Sequence, residues 1–378
     1  MNEKKLWIYS FLATALLLIC LLVMWTKMNA TNIPENQLSN QKQATDFLRE
    51  NWEEKHPESD ELIKIKTGLF IQSMKFDNTH DVEITGYLWQ NYDKGQMETL
   101  GLDSTDVGFI FPEQVDSGSS IEPKEINRTT DEDGNQVVCW YFETILRQPF
   151  DYRQYPFDQQ SVWMRMWPKN FTRNVVLIPD YDSYLSTDVT NIFGVEENIV
   201  LGDWQLNNTF FDYKLSSYDA DFGIVDYFGQ KEFPELHFNL FVKRKVANSF
   251  FVYVLPLLLA ASLLFALLLT VIRDEKKSAE IGYSMNGFIG TSSALLFVVF
   301  FAHSNLRQEF QGTTLVYLDF FYIIMYIYMI LLNINVYIFT VKSATWLTFI
   351  HYKDNLIPKI LYWPVLLLSL VLATIPYL

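Results

Sequence analysis

The last third of the chain restricts its possible folds most. Phe250–Ile272 and Ile281–His303 carry no charge, Thr314–Val341 holds one acid, Asp319, and Ile357–Leu378 holds one lysine, Lys359. A helix needs roughly 20 apolar residues to cross a hydrocarbon layer about 30 Å thick, and each run is long enough. Inside lipid every backbone polar group must find its partner within the structure, so these runs read as transmembrane helices. They are expected near 249–272, 281–303, 314–340 and 357–377.

A fifth apolar stretch opens the chain. Leu6–Trp25 is twenty residues without a charge behind Lys4 and Lys5. It reads as a retained signal anchor, with a cleaved signal peptide as the alternative. Lys4 and Lys5, then Arg273, Lys276 and Lys277, then Lys342, Lys353 and Lys359 all fall on one side of the spans. That asymmetry places the intervening residues 30–245 outside, on the periplasmic or extracellular face. Their 19 Lys and Arg against 37 Asp and Glu give a net charge of −18. With no basic patch, nucleic acid is not an expected partner, and cations or cationic ligands are favoured.

Within 30–245 the periodicity is that of strands. Residues 31–40 are linker-like, and Gln41–Glu54 reads as a short amphipathic helix with Ala44, Phe47, Leu48 and Trp52 on one side. From Leu62 the period becomes two. Further strands are expected at Val82–Trp89, Val137–Leu146, Ser161–Trp167, Val175–Ile178, Ile199–Tyr213 and Leu236–Arg244. Short strands joined by Gly, Asp, Asn and Ser turns, with no helices between them, predict an all-β immunoglobulin-like sandwich. Phe150–Gln160, F-D-Y-R-Q-Y-P-F-D-Q-Q, interrupts that pattern. Pro156 has no amide donor and a fixed φ, so the segment is a turn or an edge, and the aromatic before it favours a cis bond.

Catalytic chemistry has little to stand on. There is no GxGxxG, GxSxG, HExxH or P-loop, and the five histidines lack ligand spacing. Cys20 and Cys139 sit in unrelated segments, so neither a disulfide nor a metal site is expected. The chain is not expected to be an enzyme, and no cofactor or metal is expected.

An exported β domain, a Y-P-F-D loop and four helices with a polar second one together resemble the pentameric ligand-gated ion channel family, in its bacterial form. The resemblance covers roughly residues 60–378. Ile84–Tyr92 resembles the family's second strand. Phe150–Gln160 resembles its signature loop, with Gln148 and Val162 where animal members carry cysteines. Phe233–Pro256 resembles the last strand running into the first helix, and Tyr317-Leu318-Asp319 the start of the third.

The resemblance implies a homopentamer in the bacterial inner or plasma membrane, gated by a small-molecule ligand or by protons and passing inorganic ions, cations by preference. A non-conducting membrane sensor on the same scaffold is the alternative. The second helix would line the pore with Asn286, Gly290, Ser293, Phe297, Phe300 and Ser304, whose spacing follows one helical stripe. Glu280 would be either a selectivity ring or a loop charge. Coupling would fall to Tyr155, Pro156 and Phe157, to Asp158 paired with Arg244, and to the turn holding Lys75 and Asp77. Tyr181, Tyr184, Tyr218, Phe222 and Tyr227 would be candidates for the ligand site, where aromatics beside acids suit an amine or another cation.

Overall fold

The computed structural model describes residues 3–31, 34, 37–57, 62–100, 107–115, 121–169, 171, 175–187, 192–224, 231–341 and 347–378. The chain divides into two compact units. One comprises Asn32–Phe150 with Gln159–Lys243, and the other Met1–Thr31, Asp151–Asp158 and Arg244–Leu378. By position the Y-P-F-D segment lies within residues 30–245, read as the exported domain, and its tip is read as a coupling element. The contacts group its eight residues 151–158 with the helices instead.

The first unit contains two β-sheets. β1 (Ile63–Phe76), β2 (Asp81–Tyr92), β4 (Ile121–Thr130), β5 (Gln136–Arg147) and β7 (Val175–Pro179) form a sheet ordered β4-β5-β2-β1-β7. β3 (Phe109–Ile110), β6 (Gln159–Pro168), β8 (Trp204–Ser216) and β9 (Phe233–Arg244) form the second, ordered β3-β6-β9-β8. From Val82 to Tyr92, β2 alternates between buried and half-buried positions, the period of a pleated strand with one face on a core. Rings from both sheets meet in that core: Phe109 lies edge-on to Trp140 at 5.7 Å, and Tyr213 donates to the Leu177 carbonyl at 2.9 Å. Gly86 on β2 is required by its neighbours, since a Cβ there would strike the Phe70 carbonyl of the adjacent strand.

The expected amphipathic helix is α2 (Gln41–Leu48), continued by a wider π turn over Arg49–Glu53. Asn40 caps it by accepting from the Gln43 amide. Ala44, Leu48 and Trp52 are buried, and Phe47 stacks on Tyr213 at 5.2 Å.

Three features correct the sequence reading. A seven-residue helix, α3 (Lys94–Leu100), follows β2 where no helix was expected. β4, I-E-P-K-E-I-N-R-T-T, is an added strand on the sheet edge. Its exposed residues and Pro123 erase the apolar alternation that marks an inner strand. β8 starts at Trp204 rather than Ile199, because Gly202, at φ +58°, occupies a turn before it.

The second unit is helical. Its long members are α1 (Glu3–Met28), α4 (Val246–Leu269), α6 (Met285–Glu309), α7 (Tyr317–Val341) and α8 (Leu356–Thr374), with a short α5 (Glu275–Ile281) before α6. Among the described residues, five helices are long and apolar enough to cross a membrane, which marks the chain as a membrane protein. α4 widens into a π turn over Phe250–Val254, just ahead of Pro256, where the missing amide disrupts the regular ladder.

The second of the expected spans is shifted. Gly282 at φ +73° ends α5, and the Ser284 hydroxyl accepts the Gly287 amide to start α6. Helix α6 therefore begins four residues after Ile281 and continues to Glu309, past the expected end at His303.

Candidate functional site

In the β unit, the strand period decides which side chains meet. β6 pairs antiparallel with β9, with Arg165 opposite His237 and Trp163 opposite Asn239. Period two then puts Trp163, Arg165 and Trp167 on one face of β6 and Glu235, His237 and Asn239 on one face of β9. Glu235 is the centre of the resulting cluster. It accepts from Trp167 Nε1 at 2.7 Å, from the Tyr218 hydroxyl at 2.7 Å, from Ser216 Oγ at 2.6 Å and from Arg165 Nη1 at 3.1 Å. Arg165 also pairs with Glu113 and donates to the Tyr218 oxygen at 2.7 Å.

One guanidinium thus faces two carboxyl groups, Glu235 buried and Glu113 largely so. Burial pushes the Glu113 carboxyl above its ordinary range, and Arg165 pulls it back only in part. Over this polar floor stand four rings. Trp167 has Phe171 at 5.4 Å, Tyr218 at 5.6 Å and Phe222 at 6.1 Å between centroids. The Arg165 guanidinium lies 5.6 Å from the Trp167 centroid, so one cation–π position is filled from within.

Phe222 is held at φ +51°, a left-handed conformation that a bulky side chain rarely adopts, and its ring is half exposed. Asp221 fixes that turn by accepting the Gly223 amide at 2.8 Å. Beneath the rings is a cavity of about 20 Å³, lined in part by Trp167, Phe171 and Glu235. Since a water needs about 10–15 Å³, it has room for one small molecule of that size.

The Trp167 indole N–H is bonded to a buried carboxylate, and such a bond contributes more than a neutral one. Trp167→Phe, which keeps a ring but drops the donor, is expected to cost about 2 kcal/mol. Denaturant unfolding followed by far-ultraviolet circular dichroism would measure it.

The other expected ligand residues are placed elsewhere. Tyr181 donates to the Leu38 carbonyl at 2.8 Å and packs edge-on to Phe211. The Tyr184 hydroxyl lies between the Leu69 amide and carbonyl, 2.8 Å from each, and its ring packs on Phe193. Both hydroxyls are spent on backbone, so these two act as core packing. Tyr227 lies outside the described residues. Lys75, near the end of β1, and Asp77, in the turn that follows, are exposed and 3.8 Å apart. Arg165, Trp167, Glu113 and Glu235 were absent from the sequence expectation, although R-x-W and E-x-H-x-N, polar at period two inside apolar strands, are a signal that could have found them.

In the helical unit, the loop 151–158 carries a cis Tyr155–Pro156 bond and buries its tip. The Tyr155 ring is 4.6 Å from Phe310, and its hydroxyl donates to Ser249 Oγ at 2.9 Å. Asp158 and Arg244 meet in a two-pronged pair, with Nε to Oδ1 at 2.7 Å and Nη2 to Oδ2 at 3.1 Å. Their backbones are also joined, the Arg244 amide donating to the Asp158 carbonyl at 3.2 Å. Arg244 additionally covers the Tyr155 ring at 4.8 Å.

On α6, Phe288, Ser292, Val299 and Leu306 are buried against the unit. Asn286, Gly290, Ser293, Phe297 and Phe300 are exposed and Ser304 is half-exposed, on the face two positions away. Glu280 is exposed on α5, which Gly282 separates from α6, so it is not part of the α6 stripe. Among the described residues, no group of three or more His, Cys, Asp or Glu is arranged to hold a metal ion. Comparison with protein-family models returns no match, and comparison with curated proteins returns none either.

Proposed function

We propose that the chain is one subunit of a homopentameric ion channel, gated by a ligand or by protons, in a bacterial inner or plasma membrane. The β unit is then an immunoglobulin-like sandwich on the periplasmic or extracellular side. α4, α6, α7 and α8 form the four-helix pore domain, and α6 lines the pore. The reading follows the resemblance to the pentameric ligand-gated channel family.

One observation carries it furthest: the polar stripe on α6 faces away from its own unit. A spanning helix that turned Asn286 and Ser293 to acyl chains would put their polar side chains where lipid offers no partner. Five copies arranged around an axis would give that face water instead. The lower polar half could replace an ion's hydration, and Phe297 and Phe300 above it could close by dewetting. The acidic β unit favours cations over anions at the outer mouth. The aromatic–carboxylate cluster around Glu235 supports sensing of a cation or of protons.

Currents from purified protein in planar bilayers, recorded from pH 4 to 8 with a panel of small amines, are expected to show gating. Thiol reagents applied from water should modify Ser293→Cys and Phe297→Cys in a background lacking Cys20 and Cys139. Absence of current together with unmodified thiols at both positions would overturn the channel reading in favour of a non-conducting sensor.

A further inference from the structure

Helix α1 is fastened to the helical unit at three levels. Pro364 inside α8 has no amide to offer the carbonyl four residues before it, Ile360. The Ser10 hydroxyl of α1 donates to that carbonyl. Further along, Leu21 and Met24 close against Leu367 and Val371 of α8, with Leu17 and Leu370 alongside. At the end of α1, Trp25 Nε1 donates to the Tyr317 hydroxyl at 2.8 Å, and that hydroxyl is 2.7 Å from Thr374 Oγ1. The Trp25 ring also lies 5.9 Å from Phe157, at the tip of the cis-proline loop, and 6.2 Å from Phe321.

A signal sequence or a simple anchor needs only apolar length. Between helices in lipid there is no hydrophobic drive, so association depends on close packing and on hydrogen bonds that would otherwise go unmade. α1 supplies both, and its polar contacts fall on a carbonyl freed by proline and on a buried tyrosine. We propose that α1 is a permanent fifth helix of the membrane unit, and that Trp25 is a positioning residue clamping Phe157 of the loop. This holds whether or not α6 lines a pore.

The contacts choose the variants. Trp25, Leu18, Leu21 and Leu22 wall an apolar cavity of about 210 Å³ shared with Ala261, Met325 and Trp363, so Trp25→Ala removes the clamp and enlarges a void. Trp25→Phe keeps a smaller ring near Phe157 and loses the donor. Leu16→Ala, on the exposed face of α1, is the control. The reporters are the Tyr155 and Phe157 amides, which donate to the Tyr152 and Gln154 carbonyls at 2.9 and 2.8 Å.

The full chain, produced in membranes and moved to lipid nanodiscs, is analysed by intact mass and by hydrogen exchange of peptides covering 150–160 and 233–243. The mass is expected to include residues 3–28. Trp25→Ala should speed exchange at 150–160 roughly tenfold, Trp25→Phe by less, and Leu16→Ala not at all, with 233–243 unchanged throughout. Should Trp25→Ala fail to assemble, Tyr317→Phe removes the acceptor without touching α1 and should speed the same peptide. A mass lacking the first 28–30 residues overturns the proposal. So does unchanged exchange at 150–160, or an equal rise at 233–243, which would mean general loosening instead of a clamp.

Discussion

Asp158→Ala is expected to destabilise the membrane unit by about 3–5 kcal/mol, because it leaves a guanidinium buried without its counter-charge. Asp158 is 1% and Arg244 7% exposed, so neither recovers much hydration when the other is lost. Burial works against the Arg244 charge, and the Asp158 carboxylate, with smaller help from Tyr155 and Glu309, outweighs it and holds the guanidinium above its ordinary range. The Tyr155 ring under Arg244 can replace only part of that attraction. Arg244→Met with Asp158→Ala should therefore be less damaging than the two single changes added together. Asp151 and Arg153 provide the comparison on the same loop, since both are more than half exposed at 2.6 Å. Breaking that pair should cost less than about 1 kcal/mol. Denaturant unfolding of the detergent-solubilised full chain would measure all four variants. A cost for Asp158→Ala no larger than that for Asp151→Ala would show that burial is not what makes the pair matter.

The same contrast between covered and open positions decides how much the sequence disclosed. Apolar runs of twenty residues announce spanning helices by composition alone, and all five lie within a few residues of where they were read. Their ends were harder, because a cap is a single residue: Ser284 and Gly282 fix the start of α6, and neither alters hydropathy. β4 escaped notice because an edge strand with an exposed surface has no apolar alternation to display. Tyr218 and Phe222 stood out as rings in a polar hairpin. The carboxylates they cover did not, because Glu113 and Glu235 lie far apart in sequence and reach Arg165 only through the folded sheet. Tyr181 and Tyr184 misled for the opposite reason. Two rings among aspartates look like a ligand box until their hydroxyls are found on the Leu38 and Leu69 carbonyls.

The second large effect is one of pH. His237, on the polar face of β9, is 3% exposed and stands edge-on to Trp163 at 5.5 Å. Burial, reinforced by the nearby charges of Lys214 and Arg165, lowers it from 6.5 to about 3, so the folded β unit holds a neutral imidazole. A depressed value means that the contribution to stability is complete above pH 6.5. It is lost progressively as the medium acidifies towards pH 3, because the unfolded chain takes the proton first. At about 1.4 kcal/mol per unit, that interval represents roughly 4–5 kcal/mol. Asp212, 4.0 Å from His237 Nδ1, has its own carboxyl raised by burial. So has Glu113, and both therefore favour the folded state at low pH and oppose the trend. The histidine term is isolated by difference. Wild-type stability should fall between pH 6.5 and 4 more steeply than that of His237→Gln, whatever the absolute cost of the substitution. Parallel pH curves for the two proteins would mean that His237 takes up its proton without opposition from the fold. A steeper wild-type curve would locate, inside the proposed sensing domain, a buried group whose protonation the native packing resists, and a structural change that relieved that resistance would be favoured by acid.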